Sequence, residues 1–324
     1  MKKTIWILLD NRIGSRHQAE GIAHYLDKEK YDIIKKELTY TKLACLPNFI
    51  RGKTLLGLDK NSKQKINSPY PDIVLSSTRR TAPVARYIKK NSPKTKLTQL
   101  IHIGKTGITD FEKIFVPEHD MHKHRSPNIV YTTGAPHFIT QEKLDKAKTT
   151  WDKQFSHLPH PITALIIGGA IKNSPFSLEN ATNLALAVKK YKEQTKGSLL
   201  ITTSRRTGKL AEEQIMKHLS SIPNFNYLWG ATGDNPYLGF LACADDLIVT
   251  GDSVSMCCEA TATKKPLRIF TGSNWLTKKH IRFINSLYNK QYATELTSEN
   301  NISFTPSTST LNTAQEIANT ISEL

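Results

Sequence analysis

Short apolar runs rich in Val, Ile and Leu alternate with stretches of helical spacing along the whole chain. In the first half the runs are "TIWILL", "YDIIKKEL", "DIVLSS", "LTQLIHI", "KIFVPE" and "NIVYTT". Between several of them lie amphipathic stretches such as 17–27, "HQAEGIAHYLD", and 80–90, "RTAPVARYIKK". The second half repeats the pattern with "ITALIIGG", "SLLITTS", "FNYLWG", "DDLIVT" and "PLRIF", and it predicts helices near 177–193, 208–220, 236–243 and 253–263. Continuous apolar strands that alternate with helices predict parallel sheets covered on both faces. Two such sets predict an α/β chain of two doubly wound, Rossmann-like domains facing a cleft. Prolines and polar residues in "WDKQFSHLPHP", 151–161, put the boundary there, giving domains 1–155 and 156–324, with the last helix packing back on the first. Ligands of open α/β sheets bind at the carboxyl ends of strands, so residues at those ends carry the functional reading.

Composition narrows the picture. At 324 residues the chain exceeds what one core organises, and 38% hydrophobic against 23% charged residues leaves little room for extended disorder. The opening "MKKTIWILLD" reads as a first buried strand, because Asp10 and Arg12 interrupt the apolar run too early for a leader or a membrane span. Cys45, Cys243, Cys257 and Cys258 have no zinc-ligand spacing and no disulfide framework, which fits a reduced, cytoplasmic protein. Net charge is +17, and residues 1–150 hold 28 Lys and Arg against 14 Asp and Glu, so the basic character belongs to the first half. A cationic half points to an anionic partner: a membrane surface, nucleic acid or an acidic substrate. Without aromatic-rich strands or a recognition-helix motif, nucleic acid is not expected.

Several strand ends carry candidate chemistry. In "LIVTGDSVSMCCEA" the strand ends at Thr250, Gly251 allows a sharp turn, and Asp252 or Ser253 can cap a helix. The free amides of such a helix attract phosphate, and Glu259 lies one turn beyond Ser255 on the same face, where a ribose would present hydroxyls. "ITTSRRTG", 201–208, offers Thr203 and Ser204 hydroxyls with Arg205 and Arg206 as bidentate donors for a pyrophosphate, and "LSSTRRTAP", 75–83, echoes it with Arg79 and Arg80. Gly14 and Ser15 occupy the turn between the first strand and first helix. "RGKT", 51–54, lacks the first glycine of a P-loop, since Pro47 stands in its place. "PEHDMHKHR" clusters His119, Asp120, His122 and His124; with no second ligand group at motif spacing, a general base is favoured over a metal. The segment 42–65 mixes Leu, Phe and Ile with six basic residues, and reads either as a helix packed on the first domain or as a surface for an anionic bilayer.

"WGATGDNPYLGFLACADDLIVTGDSVSMCCEATATKKPLRIF", with "TTSRRT", "LIIGG", "PEHD" and "TTGAPH" upstream, resembles the family named for plant mitochondrial fission ELM-type proteins and their bacterial relatives. The resemblance runs over most of the chain from "IGSRHQAEGIA" onward, and implies a GT-B-like fold of two Rossmann-like domains. It implies a sugar nucleotide held mainly on the second domain, with Asp252, Ser253, Ser255 and Met256 on the phosphate side, Glu259 at the ribose, and Gly168 and Gly169 admitting the diphosphate. Where related transferases carry a glycine–histidine turn, the chain reads "GSRHQ", with Gln18 in the family's preferred place. His17, His119 and Asp120 all stay open as the catalytic base.

Together these readings predict a metal-independent GT-B-type glycosyltransferase without a cofactor, using a nucleoside diphosphate sugar, UDP foremost. Its acceptor would be a lipid-linked or envelope glycan held by Gly14, Ser15, Gln18, Arg79 and Arg80, at the inner face of the cytoplasmic membrane. The rival is a non-catalytic adaptor that keeps the fold and uses its basic face.

Overall fold

A computed structural model describes residues 2–121, 125–172, 174–297, 304–306 and 311–324. The chain divides into two compact units, Met1–Phe138 with Asn312–Leu324, and Ile139–Leu311.

In the first unit the chain runs through β1 (Lys3–Leu9), α1 (Ile13–Tyr25), β2 (Tyr31–Glu37), α2 (Asn48–Arg51), α3 (Lys60–Gln64), β3 (Ile73–Ser76), α4 (Ala82–Asn91), β4 (Lys96–Leu100), β5 (Lys113–Pro117) and β6 (Ile129–Thr132). All strands pair in parallel, in the order β2-β1-β3-β4-β5-β6. Strand periodicity sends Ile5, Ile7 and Leu9 of β1 into one core layer and Trp6 and Leu8 into the other. Both faces are therefore covered, which is why β1 reads as an unbroken apolar run. The winding direction reverses between β1 and β3, so their carboxyl ends flank the switch point of this sheet.

The segment 42–65 is not one amphipathic helix. It breaks into a 3-10 turn at Lys42–Cys45 and the short α2 and α3. Pro47 precedes α2, and Gly52, at φ +54°, ends it in a conformation that favours glycine. Ala44, Asn48, Arg51, Leu58 and Ser62 turn inward, whereas Leu43, Phe49 and Ile50 face solvent.

The second unit contains α5 (Gln141–Phe155), β7 (Ile162–Ile167), α6 (Leu178–Thr195), β8 (Ser198–Thr203), α7 (Lys209–Leu219), β9 (Asn224–Tyr227), α8 (Tyr237–Cys243), β10 (Asp246–Thr250), α9 (Val254–Thr261), β11 (Leu267–Phe270), α10 (Lys278–Asn289) and β12 (Thr294–Glu295). Its parallel order is β12-β11-β10-β7-β8-β9, with the reversal between β7 and β10. α5 precedes "WDKQFSHLPHP" for most of its length, yet it packs against α8, and its Phe155 meets Phe225 of β9 and Phe240 of α8 at ring-centroid distances of 5.2 and 5.6 Å. The final helix, α11 (Thr313–Ser322), buries Ala314, Ile317, Ala318 and Ile321 in the first unit beside α1. Among the described residues no helix is long and apolar enough to cross a membrane.

Candidate functional site

The β7–β10 switch point of the second unit is built around two glycines and one carboxylate. β7 runs into Gly168 and Gly169, whose amides point toward the end of β10. Gly168 N–H donates to Thr250 Oγ1 at 2.7 Å, and Gly169 N–H donates to Asp252 Oδ2 at 2.8 Å. The Thr250 hydroxyl in turn donates to Asp252 Oδ1 at 2.8 Å, and Arg206 Nη2 closes on Oδ2 at 2.9 Å. Asp252 thus turns inward and does not cap α9. Its burial raises the carboxyl pKa, while Arg206 and the Thr250 and Gly169 bonds pull it back down. From the other side, Trp275 Nε1 donates to the Gly169 carbonyl at 3.2 Å.

Ser253, the other capping candidate, is the N-cap of α9, its Oγ accepting from Met256 N–H at 3.4 Å. Ser255 is exposed on the first turn, Met256 is half-buried, and Glu259 is buried one turn further on. Glu259 Oε2 accepts from the Tyr237 hydroxyl at 2.5 Å. Burial pushes its carboxyl from 4.5 up to about 7 against the opposing pull of that bond, and burial also drives the Tyr237 phenol well above its usual value. The sequence reading missed Tyr237; its place two residues after Asn235 in "GDNPY" was the available signal. Asn235 Oδ1 accepts from Tyr237 N–H at 3.0 Å, so this motif starts α8 and aims the phenol at Glu259.

The "TTSRRTG" cluster is a closed turn. Ser204 N–H donates to Thr207 Oγ1 at 3.0 Å, and Ser204 Oγ donates to the Gly168 carbonyl at 2.6 Å. Thr203 Oγ1 donates to Glu212 and accepts from Trp229 N–H at 2.8 Å. The hydroxyl protons of Thr203 and Ser204 are therefore committed to the fold, which corrects the expectation that they offer hydroxyls to a ligand. Arg205 is exposed, and Arg206 is partly held by Asp252 and the Ala170 carbonyl. Trp229, also missed, is 61% exposed on a loop that Tyr227 ties through hydrogen bonds to the Ala231 and Gly233 carbonyls, each at 3.2 Å.

The first unit repeats the turn. Thr78 N–H donates to Thr81 Oγ1 at 2.9 Å, with Arg79 and Arg80 between them, and Arg80 approaches buried Asp10 at 4.0 Å. Gly14, with open space around it, and half-buried Ser15, His17 and Gln18 lie on α1. His17 packs on Phe138 at 4.2 Å between ring centroids. His119 is buried and Asp120 half-buried in a 3-10 turn after β5, two strands beyond β3 and so away from the switch point. No group of three His, Cys, Asp or Glu side chains among the described residues could hold a metal ion, and His122 and His124 lie outside those residues.

Residues 13–324 match the family described as Mitochondrial fission ELM1. The chain belongs to that family. The ELM1-family chain is 31% identical over 322 residues to the uncharacterized protein RP120 of Rickettsia prowazekii (strain Madrid E), covering 89% of each. It is 28% identical over 286 residues to mitochondrial fission protein ELM1 of Arabidopsis thaliana, covering 82% of this chain and 66% of that one. Among solved structures, UDP-GlcNAc 2-epimerase from Methanocaldococcus jannaschii is similar, with a TM-score of 0.60 and 11% identity over 99% of this chain and 100% of that one. At that identity the likeness shows the fold, which is of GT-B type.

Two outcomes are expected from charges in the second unit of this ELM1-family chain. Because the Glu259 pKa is raised when folded, the native state binds more protons than the unfolded state between about 4.5 and about 7. Stability from this group is thus greatest in acid and falls as pH rises through about 7. Glu259→Gln should flatten that slope, by on the order of 3 kcal/mol across the window, as read from urea unfolding at a series of pH values. Arg206→Ala should cost about 2 kcal/mol, less than for a fully buried pair because the Arg206 side chain is 40% exposed. With its counter-charge gone, Asp252 would titrate higher still, so the loss should be small in acid and grow as pH rises. Parallel unfolding curves at acid and neutral pH check the sign.

Proposed function

We propose that the chain is a GT-B-type glycosyltransferase that moves a sugar from a nucleoside diphosphate donor to a lipid or cell-envelope glycan acceptor. The observation that carries the reading is the capped N-terminus of α9 at the β7–β10 switch point, with buried Glu259 one turn further in. On this reading the α9 amides, Ser253, Ser255 and Met256 receive the diphosphate, and Arg205 and a partly released Arg206 add charge. Gly168 and Gly169 do not admit the diphosphate themselves, because the Asp252 carboxylate and the Arg206 backbone fill the space beside them and Thr250 and Asp252 take their amides; with Thr203, Ser204 and Asp252 they hold the turn. Glu259 accepts hydrogen bonds from the ribose hydroxyls, and exposed Trp229 offers a stacking face to the base. A UDP sugar is the first donor to try, supported by the fold likeness to UDP-GlcNAc 2-epimerase.

Transfer requires an acceptor, and the first unit supplies Gly14, Ser15, Gln18, Arg79 and Arg80 for one. His17, His119 and Asp120 are the general-base candidates; His17 lies on the helix that leaves β1. Fixed dipoles and guanidinium groups would stabilise the departing diphosphate, so the reading calls on no metal or cofactor. Work at the cytoplasmic face of a membrane fits the basic first half. One observation favours a second reading, a non-catalytic adaptor: Asp252 already occupies the Gly169 amide and engages Arg206.

The deciding experiment is thermal shift with UDP, GDP, CMP and their sugar conjugates. A rise with one nucleotide supports the transferase and names its donor class, whereas no response at millimolar ligand favours the adaptor. A UDP sugar consumed without any acceptor would move the reading away from transfer.

A further inference from the structure

At the β1–β3 switch point of the first unit lies a cavity of about 450 Å³, lined by Arg12, Ser15, Asn48, Arg51, Arg79 and Arg80 among others. Four guanidinium groups meet there. Arg51 is fully buried, its Nε donating to the Leu56 carbonyl and its Nη2 to the Arg80 carbonyl, both at 3.0 Å. Arg12 and Arg79 are exposed and Arg80 half-buried.

The charge opposite them is Asp10, itself 1% exposed. Its Oδ2 accepts from the Thr78 hydroxyl at 3.2 Å, and Arg12 and Arg80 stand at 4.0 Å from its two oxygens. Among the described residues, its Oδ1 and the buried hydroxyl of nearby Tyr40 have no hydrogen-bond partner. One carboxylate beneath four guanidinium groups leaves the cavity strongly cationic. Ile101, on its wall, holds φ at +61°, a conformation that a β-branched residue adopts only where its surroundings force it.

Chain segment 42–51 supplies both the cavity wall and an apolar surface. Ala44, Cys45, Leu46, Pro47, Asn48 and Arg51 line the cavity, whereas the interleaved Leu43, Phe49 and Ile50 are 49%, 68% and 51% exposed. A cationic cavity bordered by exposed apolar side chains is complementary to a ligand with an anionic head and a hydrocarbon tail.

We propose that this cavity binds the phosphate or diphosphate head of an anionic amphiphile, with the arginines on the head and Leu43, Phe49 and Ile50 against its hydrocarbon. Arg12 and Arg79, both at exposed positions, close on the phosphate oxygens, while Asp10 holds Arg80 in place from below. That the amphiphile is the sugar acceptor rests on the transferase reading above; its binding does not.

Two probes test the site on the full-length protein: inorganic pyrophosphate by titration calorimetry, and flotation with phosphatidylcholine vesicles with or without phosphatidic acid. Arg12→Ala and Arg79→Ala, both at exposed positions, should each weaken a pyrophosphate-binding component about tenfold or more without lowering the melting temperature. Ser253→Ala and Glu259→Gln in the second unit should leave that component intact. Vesicle capture should require phosphatidic acid, and Phe49→Ala with Ile50→Ala should abolish it while sparing pyrophosphate. Pyrophosphate binding that depends on the arginines, with vesicle capture absent or indifferent to phosphatidic acid, would overturn the amphiphile and leave a free phosphate compound. Absence of pyrophosphate binding, or binding indifferent to Arg12 and Arg79, overturns the site. A silent nucleotide panel beside a positive result here removes the transferase and leaves this pocket standing.

Discussion

Replacing Glu259 with alanine is expected to remove the rise in melting temperature produced by the responding nucleotide while the ligand-free protein stays folded. The carboxylate is buried in α9 and accepts from the Tyr237 hydroxyl through Oε2, which leaves acceptor capacity for ribose hydroxyls. Hydrogen bonds to a charged group contribute about 1.5–3 kcal/mol each, so losing the pair costs about 3 kcal/mol or more, roughly a hundredfold in affinity. The fold should tolerate the change, because removing a buried carboxylate relieves a desolvation cost that offsets the unpaired Tyr237 hydroxyl, itself worth about 1–3 kcal/mol. Ribose hydroxyls bind the ionised carboxylate, so wild-type affinity should also strengthen as pH rises through about 7, opposite in sign to the stability trend. Calorimetry on wild type, Glu259→Ala and Glu259→Gln checks both. Equal affinity in all three would rule out a ribose contact at Glu259.

Gly169→Ala should unfold or severely destabilise the second unit. A Cβ there would lie 2.1 Å from both the carbonyl carbon and oxygen of Arg206, and φ is +148°. The clash is with backbone, which cannot rotate away as a side-chain tip can. The turn is also tied on both sides, by the Gly169 amide to Asp252 and by Trp275 to the Gly169 carbonyl. Relief would have to break one of these, at a cost of at least about 4 kcal/mol. Gly14→Ala is the control: a Cβ at Gly14 meets nothing within 4 Å, and its stability should change by under about 1 kcal/mol. Denaturant unfolding of the two variants measures the contrast, and a Gly169→Ala protein as stable as Gly14→Ala would mean that the turn is not built as described.

The most legible features of the sequence were those set by local spacing. Both Rossmann-like sheets could be read because buried parallel strands must be apolar on both faces, and "TIWILL" and "ITALII" carry that signature without reference to any neighbour. The segment 42–65 was harder, because its composition suits an amphipathic helix while Pro47 and the turn at Gly52 divide it. The hydroxyls of "TTSRRTG" show the same limit at a site. Their positions suggested a phosphate cradle, but a hydroxyl serves a ligand or a backbone carbonyl equally well, and here Ser204 serves the Gly168 carbonyl.

The sequence by itself determined the fold class, the family and the strand ends where chemistry would gather. These depend on the order and spacing of residues along the chain, which periodicity and motif record directly. Only the tertiary structure decided that Asp252 turns inward to Gly169 and Arg206 while Ser253 caps α9, that Tyr237 meets Glu259, and that Arg12, Arg51, Arg79 and Arg80 share one cavity. Each of these joins residues far apart in the chain or chooses between adjacent ones of similar chemistry, and that choice is made by burial and hydrogen-bond geometry rather than by spacing.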